Sequence, residues 1–253
     1  MNNVAAPKWL IPPEVLSLSE SEVHIWLVDL DAAITDLPEL QTMLAADEIA
    51  RAQRFHFPEH KHRFISGRGM LRIILAKYLN LEPSAIAFSY GSHGKPLLQE
   101  PFNHLSFNLS HSEGLALYII ALNRDVGIDA ECIARDREID SIISRFFTRS
   151  EQTYLLKLSP TERQTAFFRC WTCKEAQAKA SGVGISQGLD RLDLSSMLEK
   201  RQNYTYSAPW TVMPLQLDRA WCDLYTAAIA IAGQDWQIKY WKFPALPHRI
   251  NAP

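Results

Sequence analysis

Leu115 to Leu122 reads Leu-Ala-Leu-Tyr-Ile-Ile-Ala-Leu, with no charged position. A run that short and that apolar is expected to be a fully buried strand, bounded by the turn residues Asn123-Arg124-Asp125. Val126 to Glu131 follows as another strand. Just upstream, Leu105, Phe107 and Leu109 alternate with Ser106, Asn108 and Ser110, the pattern of a half-buried strand.

Helices and further strands are expected around this centre. Val23 to Leu30 alternates loosely and suits a strand. A helical pattern after Pro38 carries Leu40, Met43, Leu44, Ile49 and Ala52. A second helix follows Pro58, whose missing N–H costs nothing in a first turn. Its inward face is Phe64, Met70, Leu71, Ile74, Leu75 and Tyr78. Ile86 to Ser89 is a short strand, and Tyr90 to Pro96 a loop by composition. Helices are expected over 139–146, 150–158 and 161–181, the last stopped by Gly182 as a C-cap. Residues 220–231 and 236–243 read as closing strands. An irregular arm, residues 1–20, and the tail after Pro244 flank the whole. Glu48, Phe64 and Arg68 recur 103 positions later as Glu151, Phe167 and Trp171. The echo suggests two similar α/β halves, residues 1–124 and 125–253.

Composition narrows the function. The 253 residues are 47% hydrophobic, ample for one large domain or two small ones. Lys plus Arg number 26 and Asp plus Glu 28, a net charge of −2 that argues against a nucleic-acid binder. Cys132, Cys170, Cys173 and Cys222 form no secreted framework, and the N-terminus does not read as a signal peptide. Apolar runs fall short of a membrane span. A cytoplasmic protein, expected to be monomeric, fits best. Cys170-Trp171-Thr172-Cys173 has no second ligand pair, so two helix-packed thiols are expected there rather than zinc.

Asp129 and Glu131 stand two apart on a strand, so both carboxylates face one side while Ala130 faces the other. Hard oxygens with room for water suit Mg²⁺, with Mn²⁺ as an alternative. The plain alternative is two surface carboxylates. Glu175 and Lys179 are helix neighbours at a spacing of four, able to serve as base and acid or only as an ordinary salt bridge. Ser110 and His111, at a strand end, can hold phosphate oxygens, and no G-x-S-x-G turn presents Ser110 as a nucleophile. Lys95 lies between Gly94 and Pro96 and offers a fixed cation, or a solvated one.

In their order along the chain these segments resemble the 4′-phosphopantetheinyl transferase superfamily. They are Gly94-Lys95-Pro96, Phe107 to Ser112, Val126 to Glu131 and Trp171 to Lys179. The similarity is to the Sfp-type class, in which one chain holds two similar halves, and it runs from about Arg51 to Gly184. The resemblance implies an α/β (α+β) fold with pseudo-twofold symmetry, each half a small sheet with packed helices. It also implies coenzyme A as co-substrate, bound between the halves. The partner would be an apo acyl carrier protein or a carrier domain of a synthase. By the same resemblance Asp129 and Glu131 would hold the metal, with Glu175 as third ligand or base. Lys179 would neutralise the pyrophosphate and protonate the leaving group. Ser110, His111, Lys95 and Arg51 would lie along the coenzyme A phosphates, Tyr90, Ser92 and Gly94 along the adenine, and Asn108 would also bind coenzyme A. Ala176 and Ala178 stand where the family often has a serine and an aromatic. Two other readings compete: a binding module without turnover, and a metal-dependent phosphohydrolase. The intact set of Asp129, Glu131, Glu175 and Lys179 argues against the first.

Overall fold

The structure is a computed structural model, and it describes residues 7–133, 138–184, 189–200 and 204–244. Strands β1 (Glu22–Asp29), β4 (Leu105–Ser112), β5 (Leu115–Leu122) and β10 (Gln237–Lys242) form one sheet, in the order β10-β1-β5-β4. Strands β6 (Val126–Cys132), β7 (Thr205–Ser207), β8 (Trp210–Leu215) and β9 (Tyr225–Ala232) form a second, in the order β6-β9-β8-β7. A small hairpin joins β2 (Phe88–Tyr90) to β3 (Pro96–Leu98). The helices are α1 (Leu37–Thr42), α2 (Ala46–Ala52), α3 (Pro58–Leu79), α4 (Ile139–Phe146), α5 (Arg149–Leu155), α6 (Pro160–Ser181) and α7 (Ser195–Lys200). Among the described residues no helix is long and apolar enough to cross a membrane.

The period-2 alternation of strands sorts the core into layers. Trp26, Val28, Tyr118 and Ile120 face outward, where Phe64, Leu71 and Ile74 of α3 cover them. Val23, Ile25, Leu117 and Ile119 face inward and meet Ile128, Ala227 and Ile229 of the other sheet. Ala228 and Ala230 face outward again, under Phe167, Cys173 and Ala176 of α6. The layers are therefore helix, sheet, sheet, helix. β5 is apolar on both faces because a helix covers one and a sheet the other.

The echo of 103 positions is a structural repeat. Helices α2 and α5 are each 7 residues long, and α3 and α6 each 22. Both short helices open with a buried glutamate that turns back on its own N-terminus. Glu48 Oε2 accepts the Ala45 N–H at 3.0 Å and Glu151 Oε2 accepts the Thr148 N–H at 2.7 Å. Each carboxylate is then neutralised from the long helix, Glu48 by Arg72 at 2.8 Å and Glu151 by Lys174 at 3.0 Å. Lys174 is fully buried, and its ammonium also donates to the Leu189 and Leu192 carbonyls. An ion that deep persists only with every donor satisfied. Cys170 and Cys173 are buried free thiols of α6, and burial pushes the Cys173 thiol up to about 12.

Several elements differ from the sequence expectation. The single helix through Leu40 and Ala52 is two, because Ala45 is extended and serves as N-cap of α2. The strand expected over 220–231 begins only at Tyr225. The Asp218 side chain takes the Ala220 N–H at 3.1 Å and its carbonyl the Trp221 N–H at 2.9 Å, which makes 218–224 a turn. β7 and β8 are additional strands, and β3 lies beyond the short strand expected over Ile86 to Ser89. Pro214, which cannot donate to a ladder, masks β8 in the sequence. β10 returns to pair in parallel with β1, so the last strand joins the first sheet. Part of the N-terminal arm is docked too: the Leu10 N–H donates to the Tyr240 carbonyl at 3.0 Å. Residues 1–6 of the arm and 245–253 of the tail lie outside the described residues.

His24 on β1 is buried between Tyr78 and Trp241. The Trp26 indole N–H donates to the Tyr78 oxygen at 2.9 Å, so the phenol O–H is directed to His24 Nδ1 at 2.7 Å. Burial pushes this imidazole down to about 4, a shift that nearby Glu22 only partly offsets. The unfolded chain therefore takes up a proton near pH 6.5 that the native state refuses until about pH 4. Stability from this group is present above pH 6.5 and is lost as pH falls toward 4. The ceiling is about 3 kcal/mol. Urea denaturation of wild type and His24→Gln between about pH 7 and pH 4.5 should show the flatter profile in the variant. Parallel profiles would assign the acid sensitivity to other groups.

Candidate active site between the two halves

β4 and β6 are edge strands that lie side by side, one from each sheet. An edge strand leaves every second N–H without a ladder partner. Here side chains of β4 supply the acceptors. Asn108 Oδ1 accepts the Ile128 N–H at 3.0 Å, Ser110 Oγ the Ala130 N–H at 3.2 Å and Ser112 Oγ the Cys132 N–H at 3.1 Å. The spacing of two on both strands makes this seam regular.

The seam presents Asp129. It is 3% exposed, and its Oδ1 accepts from Ser110 Oγ at 2.9 Å and from Lys179 Nζ at 2.7 Å. Lys179 also donates to Ser110 Oγ at 3.0 Å. The other oxygen, Oδ2, is buried and has no hydrogen-bond partner among the described residues. Lys179 comes from α6, whose start is closed by Glu162, which accepts the Ser159 N–H at 3.2 Å, and whose end is the left-handed Gly182 expected as its C-cap. Glu175 is one turn earlier on that helix.

These side chains line one cleft of about 380 Å³, formed by Ser110, His111, Asp129, Glu131, Glu175 and Lys179. The reading that Asp129 and Glu131 share a face, away from inward-packed Ala130, describes β6 as it stands. Phe55, His60, Arg63 and Glu113 also line the cleft, and sequence reasoning did not place them there. Arg63 is held by Asp31, Glu59 and Glu113 at 2.9, 3.0 and 2.7 Å, a long-range arrangement that no local pattern announces. His111 is open to the cleft, yet its pKa is lowered by the surrounding protein and then by the charges of Lys179, Arg51 and Arg68. Its ring is neutral at neutral pH and offers one N–H donor in a cationic field.

Gly94, Lys95 and Asn108 line a second cavity of about 510 Å³ together with His93 and Gly184, and Lys179 lines both. The Lys95 ammonium is committed to the end of α6, donating to the carbonyls of Lys179 at 2.7 Å and Ala180 at 3.2 Å. It caps orphan helix carbonyls. Arg51 stands at a third cavity with Asp47, Arg54 and Phe55, its guanidinium 5.3 Å from the centre of the Phe64 ring. Tyr90 bonds to Arg68 at 2.9 Å, and exposed Ser92 to His93 at 3.1 Å. Those three lie outside the central cleft. Phe55 borders the first and third cavities and Lys179 the first and second, so the three are neighbours. Among the described residues no three His, Cys, Asp or Glu side chains are gathered closely enough to hold a metal ion.

A family model described as the N-terminal part of 4′-phosphopantetheinyl transferase matches residues 33–122. Another, described as the 4′-phosphopantetheinyl transferase superfamily, matches residues 125–236. The chain is 41% identical over 237 residues to the 4′-phosphopantetheinyl transferase HetI of Nostoc sp., covering 93% of this chain and 98% of that protein. It is 34% identical over 207 residues to the 4′-phosphopantetheinyl transferase psf-1 of Bacillus pumilus, covering 79% and 85%. The 4′-phosphopantetheinyl transferase Sfp of Bacillus subtilis is 30% identical over 151 residues, with 59% of this chain and 65% of that protein covered.

Proposed function

Because this chain belongs to the 4′-phosphopantetheinyl transferase superfamily, we propose that it moves the 4′-phosphopantetheine arm of coenzyme A onto a serine of an apo acyl or peptidyl carrier protein. The serine oxygen attacks the phosphorus of the pyrophosphate, the pyrophosphate P–O bond breaks, and 3′,5′-ADP leaves. The observation that carries the reading is the cleft in which Asp129, Glu131, Glu175, Lys179 and neutral His111 converge between the two sheets. The partner supplies the nucleophile, so the cleft needs none of its own.

The residues fit a divalent hard cation. Asp129 Oδ2 is a buried carboxylate oxygen with no hydrogen-bond partner among the described residues, and Glu131 opens into the same cleft. Mg²⁺ binds through one or two carboxylates, substrate phosphates and waters, so it does not require three gathered ligands beforehand. Asp129 and Glu131 would hold it, with Glu175 as third ligand or base, and Mn²⁺ is an alternative ion. Bound there, it would neutralise the pyrophosphate and stabilise charge as the leaving group departs. Lys179 supplies a second positive charge and a proton donor on the same side. Glu175 takes the proton of the attacking serine. His111 donates a hydrogen bond to phosphate. Arg51 and Lys95 would reach the nucleotide phosphates, Tyr90, Ser92 and Gly94 would line the adenine, and Asn108 would also contact coenzyme A. The proposal takes the halves as residues 1–124 and 125–253, and the protein as a cytoplasmic monomer.

Purified protein with coenzyme A, Mg²⁺ and a panel of apo carriers should give a carrier heavier by about 340 Da in intact-mass spectra. No mass gain on any carrier would overturn the proposal. Release of 3′,5′-ADP without a carrier would identify a phosphohydrolase instead.

A further inference from the structure

Ser110 stands beside His111 and, by position, belongs with the phosphate contacts. Its hydroxyl has one hydrogen to donate and two lone pairs. The hydrogen goes to Asp129 Oδ1 at 2.9 Å. One lone pair accepts from Lys179 Nζ at 3.0 Å and the other from the Ala130 N–H at 3.2 Å. The hydroxyl is therefore saturated, and it is 7% exposed as a residue. A phosphate oxygen needs a donor, and Ser110 has none left unless it releases Asp129.

We infer that Ser110 is a positioning residue rather than a phosphate contact. Ser110 Oγ, Asp129 Oδ1 and Lys179 Nζ form a closed triangle with sides of 2.9, 2.7 and 3.0 Å. Its corners come from β4, β6 and α6, so one hydroxyl ties the first half to both chemical groups of the second. The triangle holds the Asp129 carboxylate in the rotamer that keeps Oδ2 clear of any hydrogen-bond partner among the described residues, and keeps the ammonium beside it. Without the hydroxyl, Oδ1 keeps only Lys179, and the two can rotate together away from the reacting groups. Ser112 separates this role from a merely structural one. It makes the same cap, to the Cys132 N–H at 3.1 Å, yet its hydroxyl is not bonded to Asp129 or Lys179.

This inference rests on the transfer reading, and wild-type turnover checks that reading independently. The experiment compares steady-state kinetics and calorimetric coenzyme A binding for Ser110→Ala, Ser110→Thr and Ser112→Ala. In Ser110→Ala, kcat should fall about 100-fold, as for a misplacement of about 1 Å. KM and Kd for coenzyme A should stay within about threefold, since no ligand contact is lost. Ser110→Thr keeps the hydroxyl and should return kcat to within about threefold of wild type. Ser112→Ala should lower the melting temperature like Ser110→Ala but leave kcat within about twofold. A tenfold rise in KM with kcat retained would make Ser110 a direct ligand contact and overturn the inference. Equal losses of kcat in Ser110→Ala and Ser112→Ala would reduce the role to general stability and overturn it as well.

Discussion

Gly127→Ala is expected to abolish transfer and to lower the melting temperature by about 6–12 °C. Gly127 lies on β6 directly beneath α6. A Cβ there would overlap the Ala176 carbonyl oxygen, with Ala180 N at 2.5 Å and Ala180 Cα at 3.0 Å. All three atoms are helix backbone, so no side chain can rotate out of the way. The helix must lift by about 1 Å, at the upper end of the cost for overfilling a packed core, about 3 kcal/mol or more. α6 carries Glu175 and Lys179, and a displacement of that size alone costs about 100-fold in rate. Gly67→Ala is the matched control. Its Cβ would meet only Leu30 and the Tyr118 hydroxyl at 3.9 Å, inside a helix. It should be neutral, or stabilise by up to about 1 kcal/mol. Wild-type melting and turnover in Gly127→Ala would show that the close seating of α6 on β6 does not govern the site.

The second large effect is expected from Asp129→Asn, with transfer reduced about 1000-fold or more. That corresponds to about 4 kcal/mol of lost charge stabilisation. The amide keeps the shape, and its oxygen can still accept from Ser110, so the seam between β4 and β6 survives. What disappears is the negative charge 2.7 Å from Lys179 and the unpartnered oxygen Oδ2. The Lys179 side chain is 26% exposed and can turn toward water, but the new amide N–H₂ falls at the buried Oδ2 position without an acceptor among the described residues, so stability should fall by about 1–3 kcal/mol. Binding of Mn²⁺, followed by electron paramagnetic resonance without coenzyme A or carrier, should weaken about tenfold or more. Unchanged ion affinity would remove Asp129 from the metal, and full turnover would remove it from the reaction.

Local patterns carry far in this chain where one element suffices to decide them. The apolar run of β5, the Gly182 stop of α6, and the shared face of Asp129 and Glu131 follow from periods of 2 and 3.6 residues and from capping chemistry. The echo of Glu48 in Glu151 is legible as well, because both halves solve one local problem: a helix N-terminus neutralised by its own buried carboxylate. Legibility fails where a choice of distant partner decides. Lys174 reads as one more helix lysine, and only the fold buries it against Glu151 and two carbonyls. Pro214 hides β8, since its tolerance depends on where in the sheet the strand lies. Lys95 reads as a cation for phosphate, and the fold sets its ammonium on the last carbonyls of α6.

Most of the elements, the duplicated pattern and the chemical inventory of carboxylates, lysines and histidine are thus written in the order of residues. How that inventory is assembled is a property of the folded chain. Asp129 and Lys179 are 50 positions apart, and Ser110 and Lys179 are 69 apart. They meet because the open edge of β6 takes its acceptors from β4, and because Gly127 lets α6 lie against the strand. Both are close approaches between surfaces, set by steric fit and by the need to satisfy buried N–H groups. No periodicity within a single segment encodes such an approach.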